Sequence, residues 1–334
     1  MGYLLEVRDL TVTMRVRAHT RPVVQGISFG VNAGEALGLV GESGCGKTMT
    51  LKALIGILPT GTRIASGSIW YDGTCVADAT SSAGLRRLRG NGIGLVFQDS
   101  TSALDPVMRV GQQISEGLRR HQGLSRRAAG AEAVETLRRL GLPNPALHVV
   151  QFPHELSGGM RQRAMLGMAT ACRPRVLLCD EPTTALDVTS QRRVLELIGQ
   201  IQRSEGMALI FVSHDLAVIA ETCTQVAVMY RGQIIERGAV ADVFSSPMHT
   251  YTHGLLGAVP DIESDNPGLL AIPGEIPGAV VQIAGCQFHP RCALAEDRCK
   301  TGEFPLQKVA PDRESACIRA SDVTRLGTGG RPGD

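Results

Sequence analysis

The sequence predicts an α/β fold in which a mostly parallel sheet is flanked by helices and carries an inserted helical block. Short apolar runs of the kind found in buried parallel strands occur at 35–40, 93–99, 175–182 and 208–215. Stretches with helical spacing separate these runs, and an all-helical block at 109–172 interrupts the alternation. Strands that alternate with helices in this way are typical of α/β proteins.

The remaining elements follow from the same kinds of pattern, taken in chain order. Residues 4–16 alternate loosely, as edge strands do, and residues 49–58 have helical spacing that stops before a proline. A polar stretch at 60–84 predicts loops and a hairpin, and a second hairpin is predicted around Arg231-Gly232. Helices are also predicted at 111–121, 126–142, 159–172 and 188–206.

The character of the sequence changes near residue 245. Beyond that point proline, glycine and cysteine dominate, and the periodicity fades. We therefore predict a large domain at 1–245, with a helical subdomain at about 100–173, and a small cysteine-rich extension at 246–334.

Composition limits the class of protein. The net charge of +2 provides no basic footprint for nucleic acid, so no nucleic-acid partner is expected. No apolar run approaches the ~18 residues that span a bilayer, and the amino terminus lacks the apolar segment of a secretory signal. These features predict a cytoplasmic protein. In a reducing compartment a cluster of cysteines indicates metal or redox chemistry rather than disulfides.

The segment GESGCGKT, residues 41–48, matches the phosphate-binding pattern G-x-x-x-x-G-K-[ST] and lies between an apolar strand and a helix. Its glycines let backbone N–H groups point at phosphate oxygens, and the helix N-terminus adds a favourable dipole. Lys47 is expected to reach the β- and γ-phosphates, and Thr48 to ligate Mg²⁺. The residues predicted to contact ATP are Gly41, Ser43, Gly44, Cys45, Gly46, Lys47, Thr48 and Met49.

The segment VLLCDEP, residues 176–182, supplies a second part of the same site. Its apolar residues predict a buried strand that delivers two acids at its carboxyl end, where α/β sheets bind ligands. Asp180 is expected to hold Mg²⁺, directly or through water. Glu181 is placed to polarise the attacking water as a general base.

The segment LSGGMRQR, residues 156–163, resembles the signature motif of ATP-binding cassette (ABC) proteins. The resemblance extends over about residues 4–245 and implies a P-loop ATPase with the ABC cassette fold, including an antiparallel β subdomain, that uses ATP and Mg²⁺. The other features that agree with the family, in chain order, are the P-loop, Gln98 in VFQD, the pair Asp180-Glu181, Asp187 in ALD and His214 in SHD.

The resemblance also implies how the signature works. In this family two cassettes pair head to tail, and each signature caps the ATP that the partner's P-loop holds. Here Ser157, Gly158 and Gly159 precede a helix, and their small side chains allow an anion to approach its N-terminus.

The resemblance also implies roles for four residues. By resemblance Glu181 activates water and His214 contacts the γ-phosphate. Gln98 links Mg²⁺ and the attacking water to the membrane partner, and Asp187 lies at the interface between the cassettes.

One part of the sequence departs from the family pattern. Cassettes usually stack an aromatic ring on adenine about 23 residues before the P-loop, but residues 11–28 contain no Phe, Tyr or Trp. His19 is the candidate that remains for this contact, with Met14 and Val16 as apolar alternatives.

The tail resembles one branch of the family. The segments SSPMHTYTHGLL (245–256) and AIPGEIPG (271–278) are similar to the extension of ATPases from the oligopeptide/dipeptide permease group, which also includes nickel and glutathione importers. The segment at 96–114 resembles the same group.

This branch implies an ATP-hydrolysing subunit that energises import of di- or oligopeptides, with nickel or glutathione as alternative cargo. The implied partners are a second, paralogous cassette, two transmembrane permease subunits and an extracytoplasmic binding protein. The chain would lie peripherally on the cytoplasmic face of the membrane. A soluble cassette protein acting in translation or repair is disfavoured, since such chains carry two cassettes or a long coiled-coil insertion that this chain lacks.

Four cysteines of the extension, Cys286, Cys292, Cys299 and Cys317, have gaps that match neither zinc knuckles nor ferredoxins. Spacing alone leaves unligated thiols, zinc and an iron–sulfur cluster open. The resemblance favours a [4Fe–4S] cluster, since some members of this importer branch hold one on such cysteines, with zinc as the alternative. His289 is a possible substitute ligand.

Overall fold

The computed structural model of the protein describes residues 2–16, 19–184, 186–258, 272–278 and 281–326. The strands are β1 (Leu5–Val16), β2 (His19–Val31), β3 (Ala36–Val40), β4 (Thr62–Tyr71), β5 (Thr74–Asp78), β6 (Ile93–Val96), β7 (Val176–Asp180), β8 (Ala208–Val212), β9 (Gln225–Tyr230), β10 (Gln233–Ala239), β11 (Gln307–Ala310) and β12 (Arg313–Ser315). The helices are α1 (Lys47–Ile55), α2 (Ala83–Leu88), α3 (Ser100–Ala103), α4 (Val110–Gln122), α5 (Arg126–Arg139), α6 (Pro145–His148), α7 (Gly158–Thr170), α8 (Val188–Glu205), α9 (Leu216–Thr222), α10 (Val240–Ser245), α11 (Thr250–Gly257) and α12 (Ala320–Val323).

An eight-stranded sheet in the order β11-β12-β10-β9-β3-β8-β7-β6 forms the centre of the molecule. The five strands from β9 to β6 in that order are parallel, whereas β10, β12 and β11 are antiparallel. Every residue of β3, β7 and β8 is buried, as expected for parallel strands covered on both faces. The predicted mostly parallel sheet is confirmed.

A second, antiparallel sheet has the order β2-β1-β4-β5. The hairpin predicted within 60–84 is confirmed, because β4 and β5 pair antiparallel across Asp72-Gly73. The expectation of loops is wrong for much of that stretch, since β4 is a ten-residue strand that also pairs with β1. Its register shifts near Gly67, where a Cβ would collide with the Asp9 carbonyl oxygen. Gly67 therefore marks a bulge rather than a loop, which explains why its turn-like composition was misleading.

Helices α4 to α7 follow β6 in the chain and return it to β7. Their inward faces bury Ile114, Leu137 and Met165 in the same core that covers one face of the large sheet. Ser125 caps α5 by accepting a hydrogen bond from the Ala128 N–H at 3.2 Å. Helix α7 is the last helix of this block, and Ser157 is its N-cap.

The carboxyl-terminal part of the chain joins the large sheet through β12, which pairs with β10. Arg313 of β12 donates from Nη2 to Oε1 of the fully buried Glu236 at 2.8 Å, and the Met248 N–H donates to the same oxygen at 2.8 Å. Burial raises the pKa of Glu236, while the bond from Arg313 lowers it. Neither β11 nor β12 was predicted, because strands this short carry no periodicity.

The described part of the extension has no sharp structural division from the rest, since its strands continue the central sheet. Other parts of the predicted extension, at 259–271, 279–280 and 327–334, lie outside the described residues. No helix within the described ranges is both long and apolar enough to cross a membrane.

Candidate nucleotide site

The P-loop runs from the end of β3 to α1, as predicted from its sequence. Gly41 has φ of 147°, and a Cβ there would collide with the Met229 carbonyl oxygen. Gly46 has φ of 113°, and a Cβ there would lie 2.8 Å from the Val23 carbonyl oxygen. Both positions therefore require glycine, because the loop is pressed against neighbouring backbone.

Lys47 begins α1 and is 5% exposed. Its Nζ donates to the carbonyl oxygens of Gly41 at 2.6 Å and Glu42 at 3.1 Å. The ammonium is thus held over the first residues of the loop, where a phosphate can compete for it. Cys45 is buried, and burial raises the pKa of its thiol.

Thr48 and Asp180 join the two halves of the site. Thr48 donates from Oγ1 to Asp180 Oδ1 at 2.9 Å, although 132 residues separate them. Burial raises the pKa of Asp180, and the bond from Thr48 counteracts this effect. A hydroxyl and a carboxylate side by side are the oxygen ligands that Mg²⁺ takes from P-loop proteins.

Glu181 lies one residue beyond β7 with φ of 45°, an uncommon value for a residue other than glycine. Its N–H donates to the Val212 carbonyl oxygen of β8 at 3.0 Å. Its Oε2 lies 3.0 Å from His214 Nδ1 and 3.5 Å from Gln98 Nε2. The structure therefore brings together the three residues that the sequence assigned to hydrolysis.

A cavity of about 1410 Å³ opens over the P-loop. Gln98, Glu181 and His214 line it. His19 also lines it, whereas Met14 and Val16 do not. The P-loop residues that line it are Ser43, Gly44, Gly46, Lys47, Thr48 and Met49.

Part of the lining of this cavity comes from the extension, which sequence reasoning missed. Ile276, Val281, Ile283 and Gln287 line it. Arg231, at the turn between β9 and β10, holds this part of the lining by donating to the Val281 carbonyl oxygen at 2.6 Å. The sequence showed only that the tail resembles other tails, and nothing in it indicated that the tail returns to the P-loop.

The signature residues lie elsewhere. Ser157 caps α7, its Oγ accepting a hydrogen bond from the Met160 N–H at 3.4 Å. Gly159 packs on Ser190, where a Cβ would lie 3.2 Å from the hydroxyl oxygen. Asp187 caps α8 by accepting from the Ser190 N–H at 2.9 Å, and this bonding lowers the pKa of Asp187. Neither the signature, at Ser157, Gly158 and Gly159, nor Asp187 lines the cavity over the chain's own P-loop.

The four cysteines of the extension line one small cavity of about 20 Å³, together with Thr250 and His289. Cys292 Sγ lies 3.1 Å from Thr250 Oγ1, and the Cys286 N–H donates to the Cys299 carbonyl oxygen at 2.9 Å. Burial raises the pKa of Cys317 to about 11 and also raises the pKa values of Cys286 and Cys292. All nine cysteines of the chain are free thiols.

The fit of this cavity to a metal group is mixed. Four thiols facing one space are the donor set of zinc or iron–sulfur sites. The space is that of roughly one water molecule, and among the described residues no group of three or more His, Cys, Asp or Glu side chains is arranged to hold a metal ion. The donor types suit such a group, but their arrangement in this structure does not.

Two family models match the chain. The model described as ABC transporter matches residues 24–184, which include the P-loop, Gln98, the signature and the two acids at the carboxyl end of β7. The model described as oligopeptide/dipeptide transporter, C-terminal region, matches residues 235–299, which include three of the four clustered cysteines.

Curated relatives match nearly the whole chain. A putative peptide import ATP-binding protein of Brucella melitensis is 42% identical, covering 96% of this chain and 98% of its own. The oligopeptide transport ATP-binding protein OppD of Salmonella typhimurium is 42% identical over 95% of this chain and 93% of its own. The dipeptide transport ATP-binding protein DppD of Escherichia coli is 40% identical over 94% and 96%.

Solved structures agree with the fold. One is the ATP-binding cassette MJ0796, in a dimeric structure of a post-hydrolysis state bound to ADP and phosphate. It superposes on this chain with a TM-score of 0.63 at 22% identity, covering 71% of this chain and 98% of its own. CbiO1 from Clostridium perfringens, part of an ABC transporter complex, superposes with a TM-score of 0.62 at 27% identity, covering 73% and 91%. The ABC cassette ATPase fold predicted from the sequence is confirmed.

Proposed function

Because the chain belongs to the ABC transporter family, among its peptide-import ATP-binding proteins, we propose that it binds and hydrolyses ATP to energise import of di- and oligopeptides. The relatives are matched over almost their full length, so the proposal draws on whole proteins rather than on a shared fragment.

The observation that carries the ATPase assignment is the bond between Thr48 and Asp180. It places a hydroxyl from the P-loop and a carboxylate from β7 beside each other, and Thr48 lines the cavity over the P-loop. These two side chains would hold Mg²⁺, which supplies charge neutralisation for the β- and γ-phosphates. Lys47 would exchange its loop carbonyl partners for phosphate oxygens.

The hydrolytic roles follow from the contacts of Glu181. Its carboxylate is positioned to take a proton from the attacking water as it attacks the γ-phosphorus. Gln98 lies against the same carboxylate and would orient that water and contact Mg²⁺. His214, 3.0 Å from Glu181, would contact the γ-phosphate. His19, which lines the same cavity as Ile276 and Ile283 of the extension, would contact adenine.

The signature requires a second cassette. Ser157 and its two following glycines offer a helix N-terminus for phosphate that does not face the chain's own cavity. We propose that it caps ATP held by a paralogous partner cassette, with Asp187 at that interface. The block at about 100–173 would form the helical subdomain that meets two membrane permease subunits, and a binding protein outside the membrane would deliver cargo.

This assembly places the chain peripherally on the cytoplasmic face of the membrane. A direct test is to purify the importer through a tag on this chain, reconstitute it in lipid vesicles, and add the binding protein with di- and oligopeptides. We expect ATP-dependent peptide uptake into the vesicles. Uptake of nickel or glutathione in place of peptide would contradict the cargo, and ATP hydrolysis without copurifying permease subunits would contradict the transport role.

We further propose that Cys286, Cys292, Cys299 and Cys317 hold a [4Fe–4S] cluster that staples the extension. Support comes from the one cavity that all four cysteines line. A metal group can supply folding free energy to a segment with little apolar core of its own.

Protein purified without oxygen is expected to be brown and to contain about four iron and four sulfide ions per chain. Cys292→Ser should lower the iron content by at least about half, because serine is a poorer ligand for iron than thiolate. Cys75→Ser is the matched control, since Cys75 is exposed and lies far from the cavity in the sequence. Colourless protein with zinc in place of iron would reject the iron–sulfur assignment.

A further inference from the structure

Glu42, the second residue of the P-loop, is held by two residues from the far end of the chain. Its N–H donates to Tyr251 Oη at 2.7 Å. Its carboxylate accepts two bonds from Arg291, Nη1 to Oε2 at 2.7 Å and Nη2 to Oε1 at 3.0 Å. We call these contacts of Tyr251 and Arg291 with Glu42 the P-loop clamp.

Hydrogen bonds to two backbone carbonyl groups also fix the side chain of Arg291. Its Nε donates to the Pro273 carbonyl oxygen at 2.9 Å, and Nη2 donates to the Gly274 carbonyl oxygen at 3.0 Å. The side chain is 5% exposed, and the bonds to Glu42 raise the pKa of the guanidinium further. A partly buried, bidentate pair of this kind fixes geometry as well as charge.

Tyr251 is fixed by packing. Its ring is fully buried, with centroids 4.7 Å from Tyr230 and 5.3 Å from Phe288. Tyr251 lies in the first turn of α11. His249 is the N-cap of this helix, and its Nδ1 accepts a hydrogen bond from the Tyr251 N–H. Burial lowers the pKa of His249 to about 3, so the ring stays neutral and can accept that bond.

The clamp acts at the part of the loop that also holds Lys47. The carbonyl oxygens of Gly41 and Glu42 accept from Lys47 Nζ. Glu42 itself does not line the nucleotide cavity, so its side chain is free to serve as an anchor. A P-loop binds phosphate through backbone N–H groups, and its affinity depends on how well that backbone is held before the ligand arrives.

We propose that Arg291 and Tyr251 are positioning residues for the P-loop, and that through them the extension sets the affinity for nucleotide. This inference rests on the proposed ATP binding. It assigns to the extension a direct part in the ATPase site, beyond covering one side of the cavity.

The test compares ATP affinity of the full-length chain with that of variants chosen to keep the packing. Tyr251→Phe removes only the hydroxyl and should raise the Kd for ATP about 2- to 10-fold, the effect of one neutral hydrogen bond. Arg291→Ala should raise it roughly 10- to 100-fold, and Arg291→Lys, which keeps the charge but loses the fork, should fall between Arg291→Ala and wild type. Within the assembled importer we expect the KM for ATP to rise while kcat at saturating ATP stays within about twofold of wild type.

Arg298→Ala is the matched control, because Arg298 is an exposed arginine of the same extension that pairs with Glu296 instead. It should leave Kd unchanged. If Arg291→Ala does not fold, Tyr251→Phe and Arg291→Lys still decide the matter. Wild-type affinity in both, or an equal loss in Arg298→Ala, would overturn the clamp. A wild-type chain that fails to bind ATP would overturn the proposed function instead.

Discussion

A Glu181→Gln variant is expected to bind ATP about as tightly as wild type and to hydrolyse it roughly 10²- to 10⁴-fold more slowly, the usual contribution of a positioned general base. Glutamine keeps the size and most contacts of the side chain but does not accept a proton from water. The variant should therefore accumulate the ATP-bound form. Single-turnover hydrolysis and equilibrium ATP binding would measure the two effects separately.

The geometry distinguishes Glu181 from the neighbouring carboxylate of Asp180. The left-handed backbone of Glu181 is a strained conformation, and it is held by the bond to Val212 of β8. His214 and Gln98 are fixed against its carboxylate rather than against Asp180. Glu196→Gln, on the exposed face of α8 where Glu196 pairs with Arg192, serves as the control. Hydrolysis in Glu181→Gln at the control rate would contradict the assignment.

The second large effect is expected for Ser157→Arg in the assembled importer. A long cationic side chain at the N-terminus of α7 would occupy the place of the phosphate that this terminus is proposed to bind. Loss of such contacts costs about 10²- to 10³-fold in rate. Since Ser157 does not line the chain's own cavity, ATP binding by the isolated chain should be unchanged.

Ser125→Arg is a close control, because Ser125 caps α5 with the same kind of bond and lies outside the nucleotide cavity. Both substitutions lose an N-cap worth about 1 kcal/mol, so a general loss of stability would affect them equally. ATPase rates of the two assembled variants, normalised to complex recovered, would distinguish them. Equal activity of Ser157→Arg and Ser125→Arg would refute capping of the partner's site.

The sequence indicated the strands that carry the predicted site residues. The P-loop follows β3, Asp180 and Glu181 lie at the carboxyl end of β7, and His214 follows β8, and each of these strands is buried. The carboxyl ends of adjacent parallel strands meet at one edge of a sheet, which is why separate motifs converge.

Sequence reasoning failed where contacts join distant parts of the chain. The bond between Glu42 and Arg291 spans 249 residues, and neither residue belongs to a motif that indicates a partner. Ile276 and Ile283 come from a segment without periodicity, so nothing local predicted that they would line the nucleotide cavity. The pairing of β12 with β10 was missed for the same reason.

The neighbours of the clamp in the chain carry a thermodynamic consequence. Thr250 directly precedes Tyr251 in the chain, and Cys292 directly follows Arg291. Both Thr250 and Cys292 line the cysteine cavity. Coupling between two sites is reciprocal. If the extension increases the affinity for ATP, bound ATP stabilises the extension by the same free energy. ATP binding and the intact structure of the cysteine cavity would then be thermodynamically coupled. Damage to the thiols would weaken ATP binding.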